Sequence, residues 1–296
     1  MTKTRLQASR LQASTVVLDV TSRGCGNIRK GSLAEIVVDA DKQSLRLSKE
    51  WIRSENFTRA RLVIINLRKT LESYALPSCP FKSGTYMIPI RCLEEITPIL
   101  EKAQTDYEEA ADALEEEWDE IIVDARLRLR SQFVPENYPS AAAIRAKYSM
   151  SWRLLEFSVP DSSTIGEELY KQELAKAQNV WAEAEQEVTL ALREGLHSLV
   201  NRLASQLEVK TDGSKGKITT AAVRDINEFL DMFANRNVLD DDELKDLVEK
   251  AKGIMDGKSM DDVKKNKLSL AAELKEVAAG LDTLITTSKR KFDFSE

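Results

Sequence analysis

Glycines near the start of the chain have a spacing that could bind phosphate. Gly26 and Gly31 are separated as in a P-loop, in which backbone N–H groups and a following lysine hold the phosphates of a nucleotide. Here Ser32 occupies the lysine position, and Lys30 comes before the second glycine instead. The run at 24–26 also lacks the third glycine of a dinucleotide-binding loop. The sequence therefore predicts a tight turn in this segment and no nucleotide cofactor.

Metal-binding and nucleophilic residues are few and poorly spaced for a catalytic site. His197 is the single histidine and follows Glu194 by three positions. A di-iron centre in a helical bundle needs two such pairs, so one chain cannot complete it. Cys25, Cys79 and Cys92 lack zinc-ligand spacing and are typical of free thiols in a reducing cytoplasm. We expect no metal, no cofactor and no catalytic residue. An enzyme with a metal site assembled across an oligomer is the least favoured hypothesis.

Basic and aromatic residues are the strongest candidates for an interaction surface. Aromatic side chains beside arginines can stack on the bases of single-stranded nucleic acid. The candidate interaction residues are Arg145, Lys147, Tyr148, Trp152, Arg153, Arg29 and Lys30. Other basic residues near the N-terminus are Arg23, Arg46, Lys49, Arg53, Arg59 and Arg61. Two interpretations stay open, since these residues either bind nucleic acid or dock on an acidic part of the chain.

Charge alternates along the 296 residues, whose net charge is −6. Residues 1–70 carry 14 lysines and arginines against 6 aspartates and glutamates, and residues 71–125 carry 3 against 14. Residues 126–158 are basic again, with 6 against 2. The acidic total argues against nucleic-acid binding over the whole surface. The alternation suggests that opposite faces pair within the chain or with a partner, and solvated helix faces are the simpler alternative.

The composition is that of a helical protein with at least one sizeable core. Hydrophobic residues make up 42% and aromatic residues 6%, and glycine and proline are sparse, which favours long helices over a sandwich or barrel. We find neither a run of about 18 apolar residues nor the apolar core of a signal peptide. The sequence therefore predicts a cytoplasmic protein that does not enter a membrane. Residues 1–14, with a repeated Leu-Gln-Ala-Ser, predict a basic flexible leader.

A small α+β unit is predicted over residues 15–92. β-Branched runs at 15–20 and 35–40 predict two strands on either side of the glycine-rich turn. An apolar pattern with helical spacing predicts a helix at 55–74, which Pro77 ends. A short strand at about 85–90 completes the unit.

Two apolar stripes form the strongest pattern of the sequence. Apolar residues recur three and four positions apart over 93–129 and again over 170–207, with one tryptophan in each stripe. Matched stripes with recurring alanines predict a mainly α fold, built on a long antiparallel coiled-coil hairpin over 93–210. Its tip module, at 134–165, either projects from the body or folds back on it. The chain continues through a polar linker and a helical C-terminal region, at 211–218 and 219–296.

The segment at 81–89, Phe-Lys-Ser-Gly-Thr-Tyr-Met-Ile-Pro, resembles an uncharacterised family of bacteria and phages. Residues 76–77 (Leu-Pro) and 151–157 (Ser-Trp-Arg-Leu-Leu-Glu-Phe) fit the same pattern, and the resemblance covers about residues 15–205. Members carry a domain of unknown function. They tend to be encoded beside a MoxR/CobS-like AAA+ ATPase and a CobT-like von Willebrand factor A protein, often on phages and mobile elements. The resemblance implies such a protein partner and no catalytic residues.

The leading functional hypothesis is a non-enzymatic helical adaptor or assembly protein of a phage or mobile element, working with an AAA+ ATPase system. Paired stripes without a catalytic constellation motivate it. The alternative is a nucleic-acid-binding protein that uses the basic N-terminal unit and the hairpin tip. A homo-oligomer is compatible with both, because apolar stripes can pair within one chain or between chains.

Overall fold

A computed structural model describes residues 9–33, 36–37, 39–77, 79, 84–208, 218–255, 258 and 260–293. In this part of the chain the fold is mainly helical with little sheet, which confirms the expected class. Residues 1–8 of the predicted leader and 211–217 of the predicted linker lie outside the described residues. So do two residues of the strand predicted at 35–40, and the four described residues of that segment are not in a strand.

Several helices and strands have the boundaries that the sequence predicts. Glu55–Tyr74 is helical as predicted, and the strand predicted at 85–90 occupies Thr85–Pro89. The strands are β1 (Thr15–Arg23), β2 (Ile28–Lys30), β3 (Ser48–Glu50), β4 (Thr85–Pro89) and β5 (Ser149–Leu155). The helices are α1 (Arg10–Ser14), α2 (Glu55–Tyr74), α3 (Leu93–Glu116), α4 (Trp118–Leu129), α5 (Ala141–Arg145), α6 (Ser162–Ile165), α7 (Glu167–Leu207), α8 (Thr220–Arg236), α9 (Asp242–Met255), α10 (Met260–Lys265) and α11 (Lys267–Asp293).

Two small sheets join the strands. β1 is the central strand of the first sheet, whose order is β4–β1–β5. β2 and β3 pair antiparallel in the second sheet, with Arg29 opposite Lys49. Directly after β3, the Trp51 N–H donates to the carbonyl oxygen of Asn27 in the glycine-rich turn at 2.9 Å.

The chain divides into two compact units, each made of separate stretches of sequence. The bundle unit comprises Met1–Leu18, Leu71–Leu93 and Leu154–Glu296. The groove unit comprises Asp19–Thr70 and Glu94–Arg153. This division interleaves the stretches that the sequence suggested as successive domains.

Helix α7 is the centre of the bundle unit. It packs along α11 and against α8, while α9 packs against both of those helices. The fully buried positions of α7 include Val188, Leu192, Leu196, Val200 and Leu203. Ala191, Gly195 and Leu199 of the predicted stripe are only half-buried. Trp181, Ala184, Val188, Leu203 and Leu207 of the stripe are buried as predicted, and over 191–200 the buried positions are displaced by one residue.

The coiled-coil hairpin is not confirmed. The first stripe lies on α3 and α4 of the groove unit, and the second lies on α7 of the bundle unit, which α8 and α11 cover. The single long helix expected over 93–129 is also interrupted at Glu117, whose side chain accepts a hydrogen bond from the Ser54 hydroxyl. Apolar spacing shows which face of a helix is covered but not which helix covers it.

The predicted tip module contributes to the core of the groove unit. Ile144, Tyr148 and Met150 are buried, and the ring of Tyr138 lies 5.4 Å from the Trp51 ring. Residues 138–150 therefore fold back on the body, which is the second of the two alternatives. The helix predicted at 141–148 ends at Arg145.

Candidate functional site

A groove of about 610 Å³ runs along α2 in the groove unit. This volume is in the range of ligand-binding clefts. One wall is formed by α2 from Phe57 to Arg68, a length of about 16 Å at the rise of an α-helix. The opposite wall is the end of β1 and the turn after it, residues 22–28, and the floor includes Tyr107 and Tyr148.

The α2 wall is divided into a buried face and an exposed face by helical spacing. Ser54 caps the helix, since its hydroxyl accepts a hydrogen bond from the Phe57 N–H at 3.0 Å. The buried face carries Phe57, Ala60, Leu67 and Leu71. Arg61 and Arg68 are seven residues apart, which places both on the exposed side next to the groove.

The opposite wall is held against the body by two aromatic side chains. The Tyr107 hydroxyl donates to the Arg23 carbonyl oxygen at 2.5 Å, and the Trp51 indole N–H donates to the Gly26 carbonyl oxygen at 2.8 Å. Gly24 lies so close to the floor that a Cβ atom there would be 2.9 Å from the Tyr107 hydroxyl oxygen. This wall is therefore preformed rather than a free loop.

The floor of the groove places a thiol beside two buried phenols. Cys25 is half-buried, and its Sγ lies 3.0 Å from the Tyr148 hydroxyl oxygen. Burial raises the pKa of Tyr107. Burial first, and then the hydrogen bond with Cys25, raise the pKa of Tyr148 above the ordinary value of about 10. Both phenols are therefore neutral at physiological pH and can donate hydrogen bonds.

Three arginines give this groove a positive charge that is not neutralised. Arg23, Arg61 and Arg68 line it, and its lining contains no aspartate or glutamate among the described residues. All three are exposed, and none forms an ion pair with a residue that the structure describes. We call this cleft the arginine groove. Cationic walls without carboxylates attract an anionic ligand.

A second groove, of about 560 Å³, lies on the other side of α2 and has mixed charge. Its lining includes Glu50, Arg53, Glu55 and Arg59. Arg53 pairs with Glu50 at 2.9 Å, and Arg59 pairs with Glu109 of α3 at 3.0 Å. The second groove is thus largely neutralised by its own unit, in contrast to the arginine groove.

Exposed apolar side chains of α2 and of the first residue of β2 line the two grooves. Leu62 and Ile65 are 48% and 47% exposed, and Ile28 at the end of the arginine groove is 63% exposed. Leu62 lines the second groove, and Ile65 lines the arginine groove. We call these three residues the α2 ridge.

Most of the candidate interaction residues predicted from the sequence contact their own unit. Arg145 binds the Asp112 carboxylate of α3 at 2.5 Å and the Tyr148 carbonyl oxygen at 3.1 Å. Arg153 binds the Asp19 carboxylate at 2.9 Å. Tyr148 is the only residue of the predicted set that lines the arginine groove.

Arg29 is likewise engaged within the groove unit. Its guanidinium lies 3.8 Å from the centre of the Trp51 ring and donates to the Asn137 side-chain oxygen at 2.8 Å. Two of the remaining residues are exposed and one is half-buried, namely Lys30, Lys147 and Trp152. Of the two interpretations left open by the sequence, docking on an acidic part of the chain accounts for Arg145, whose partner Asp112 lies on α3. Arg153 and Arg29 have other partners in the same unit.

The sequence did not predict as interaction residues five members of the arginine groove, namely Arg68, Cys25, Tyr107, Ile28 and Ile65. Arg61 was predicted only as part of a general basic segment. The signal was present, because Arg61 and Arg68 lie seven positions apart on a helix that the sequence does predict, which places them on one face. The contact between Cys25 and Tyr148 had no sequence signal, since the two residues are distant in sequence.

The residues considered for metal chemistry have other partners in the bundle unit. His197 lies 2.9 Å from Asp282 and 2.8 Å from the Asn201 side chain, and Glu194 pairs with Lys289 at 2.9 Å. Across the part of the chain that the structure describes, no three metal-ligating side chains come together. None of the described helices is long and apolar enough to cross a membrane.

Comparisons of the chain with known protein families, with curated proteins and with solved structures found no match. The family resemblance drawn from residues 81–89 and 151–157 therefore stays a prediction.

Proposed function

We propose that this chain is a non-enzymatic adaptor that binds another protein through the α2 ridge. The observation that carries the proposal is the exposure of Ile28, Leu62 and Ile65 beside two grooves of the same unit. Single exposed apolar residues are common on protein surfaces. An apolar ridge flanked by clefts is more typical of a protein interface, because its burial by a partner is favourable.

The proposed partner is an AAA+ ATPase or a von Willebrand factor A protein of the same phage or mobile element. Only the family resemblance supports this partner class. The proposed location is the cytoplasm, where free thiols such as Cys25, Cys79 and Cys92 stay reduced. A coiled-coil stalk is not needed for the proposal, because the ridge lies on α2.

Nucleic-acid binding has weaker support as a second function. Arg145, Arg153 and Arg29 have their guanidinium groups engaged by Asp112, Asp19 and the Trp51 ring. The groove unit also carries 18 lysines and arginines against 20 aspartates and glutamates. Such a unit lacks the excess positive charge from which nucleic-acid binding gains most of its free energy.

Affinity purification from the native host tests the proposal. The tagged wild-type chain is compared with the double variant Leu62→Glu/Ile65→Glu, with and without nuclease. A matched control is Val123→Glu/Leu127→Glu, which changes two exposed residues of α4 in the same unit. We expect the AAA+ ATPase or von Willebrand factor A protein to survive nuclease, to persist with the control and to be lost with the α2 variant.

Two results contradict the adaptor function. One is recovery of neither partner with the wild-type chain. The other is loss of all partners on nuclease treatment, together with co-purified DNA or RNA in the untreated sample, which favours the nucleic-acid alternative.

A further inference from the structure

We infer that the arginine groove binds an acidic segment of the protein partner, one that carries apolar side chains between its carboxylates. This inference rests on the proposed adaptor function and adds the chemistry of the partner. It concerns the side of α2 next to the turn at 22–28, where Ile28 and Ile65 of the ridge also line the groove.

The charge of the groove selects the chemistry of its occupant. Arg23, Arg61 and Arg68 are exposed and form no ion pair with the residues that the structure describes. In the second groove, on the same helix, Arg53 and Arg59 are paired with Glu50 and with Glu109 of α3. Guanidinium groups bind carboxylates in two-pronged hydrogen bonds. The occupant that complements the arginine groove therefore supplies the carboxylates that its lining lacks.

The arrangement of the arginines favours a peptide over a small anion. Arg61 and Arg68 are separated by about 10 Å along the axis of α2, and Arg23 stands on the opposite wall. Positive charge is thus distributed along both sides of an elongated cleft. A partner helix with carboxylates two turns apart has the same spacing as Arg61 and Arg68.

The apolar part of the lining indicates that the occupant also carries apolar side chains. Phe57, Ile64 and Ile65 face the cleft from α2, and Ile28 faces it from the turn. An acidic segment without apolar side chains leaves this surface uncovered. A segment that alternates carboxylates with leucine-like side chains covers it, and the burial adds to the binding free energy.

A peptide-binding assay on the full chain tests the inference. The probe is a labelled helix-forming peptide of about fifteen residues with glutamates and leucines on one face, and the reference peptide has glutamine in place of each glutamate. Fluorescence anisotropy at low ionic strength measures both dissociation constants. We expect the glutamate peptide to bind at least about tenfold more tightly, and Arg61→Glu/Arg68→Glu to remove this preference.

The matched control is Arg46→Glu/Lys102→Glu. It makes the same change of net charge at two exposed residues of the same unit that line neither groove. We expect it to keep the preference for the glutamate peptide, because binding depends on the position of the arginines and not on net charge alone. Thermal unfolding of all variants verifies that they are folded.

Cys25 provides a readout of the site that does not depend on charge. Its thiol is half-buried in the groove, whereas Cys79 is a half-buried thiol of the bundle unit. We expect the bound glutamate peptide to slow alkylation of Cys25 by iodoacetamide several-fold and to leave Cys79 unchanged. Mass spectrometry of the digested protein distinguishes the two cysteines.

Four results with the purified chain overturn the inference. They are equal affinity for the two peptides, an arginine variant that binds like the wild type, tighter arginine-dependent binding of a single-stranded oligonucleotide, and self-association in sedimentation that the same arginines control. The last two assign the groove to nucleic acid or to a second copy of the chain. If the arginine variant still recovers the native partner, the groove inference fails and the adaptor function stands. If the wild-type chain recovers no partner, the adaptor function fails.

Discussion

Gly24 lies against the floor of the arginine groove. A Cβ atom there would lie 2.9 Å from the Tyr107 hydroxyl oxygen and 3.3 Å from a ring carbon of Tyr148. At Gly26, two positions later, a Cβ atom would meet nothing within 4 Å. The two glycines therefore differ in packing, and a side chain at position 24 would displace its neighbours.

The pair gives a matched stability test. We expect Gly24→Ala to lower the free energy of unfolding by about 1–3 kcal/mol, because a methyl group added to a filled site displaces its neighbours. We expect Gly26→Ala to change it by less than about 1 kcal/mol. Urea unfolding measures both values. Equal effects of the two substitutions would contradict the close approach at Gly24.

The two phenols of the groove floor predict that the folded chain loses stability at alkaline pH. Because burial raises the pKa of Tyr148 and of Tyr107 in the folded chain, their neutral form is favoured by folding. This contribution to stability is present below the unfolded pKa of about 10 and is lost as pH rises above it. We expect tyrosinate absorbance of the native protein to rise at higher pH than that of the urea-unfolded chain.

The variant Tyr148→Phe tests whether the late titration comes from the floor of the groove. It removes the phenol with the largest shift and leaves the ring in place, so the late part of the alkaline titration becomes smaller. A native titration that coincides with the unfolded one would refute the buried, neutral phenols.

At the scale of elements, one buried arginine joins three parts of the bundle unit. Arg193 of α7 binds both carboxylate oxygens of Asp241, which precedes α9, at 2.8 and 2.9 Å. It also donates to the Ser288 hydroxyl of α11 at 2.7 Å. The side chains of Arg193 and Asp241 are only 10% and 8% exposed, and the hydrogen bond with Asp241 is the first cause of a raised pKa at Arg193.

A double-mutant cycle tests this connection. We expect Arg193→Met to lower the free energy of unfolding by about 3 kcal/mol, since it leaves the Asp241 carboxylate buried without its partner. Asp241 also accepts a hydrogen bond from the Leu244 N–H at the start of α9, which asparagine can replace. We therefore expect Arg193→Met/Asp241→Asn to be more stable than Arg193→Met alone. Strictly additive single effects would exclude the coupling.

At the scale of the whole chain, each unit depends on stretches that are far apart in sequence. The cover of α7 comes from α8 and α11, which begin at Thr220 and Lys267. A coiled-coil hairpin over 93–210 would instead be complete without these helices. The two arrangements predict a different stability of α7 in a fragment of residues 1–210.

The fragment of residues 1–210 separates the two arrangements. We expect it to lose protection from hydrogen exchange throughout α7, because Leu196, Val200 and Leu203 lose the helices that cover them. The full chain is the control. Retained protection of α7 in a monomeric fragment would contradict the bundle and support the hairpin.

The sequence by itself determined the helical class and much of the local structure. Helix α2 occupies the predicted positions, and the predicted stripe on α3 and α4 is buried from Ile96 to Ala125. Apolar periodicity and proline positions are local properties, so they predict where a helix lies and which face it buries. Charge counts along the sequence also showed alternating basic and acidic stretches. These stretches partly pair in the structure, as the ion pairs Arg59–Glu109 and Arg145–Asp112 show.

Only the tertiary structure decided which surfaces meet. The stripe on α7 could be covered by any apolar helix, and α8 and α11 cover it. Likewise, Arg145 and Arg61 are both arginines in basic segments, yet the fold gives Arg145 a carboxylate and leaves Arg61 in a groove without one. Periodicity is a property of one segment, whereas the choice of a partner depends on the relative free energies of all alternative packings. For this reason the arginine groove could be recognised only in the folded chain.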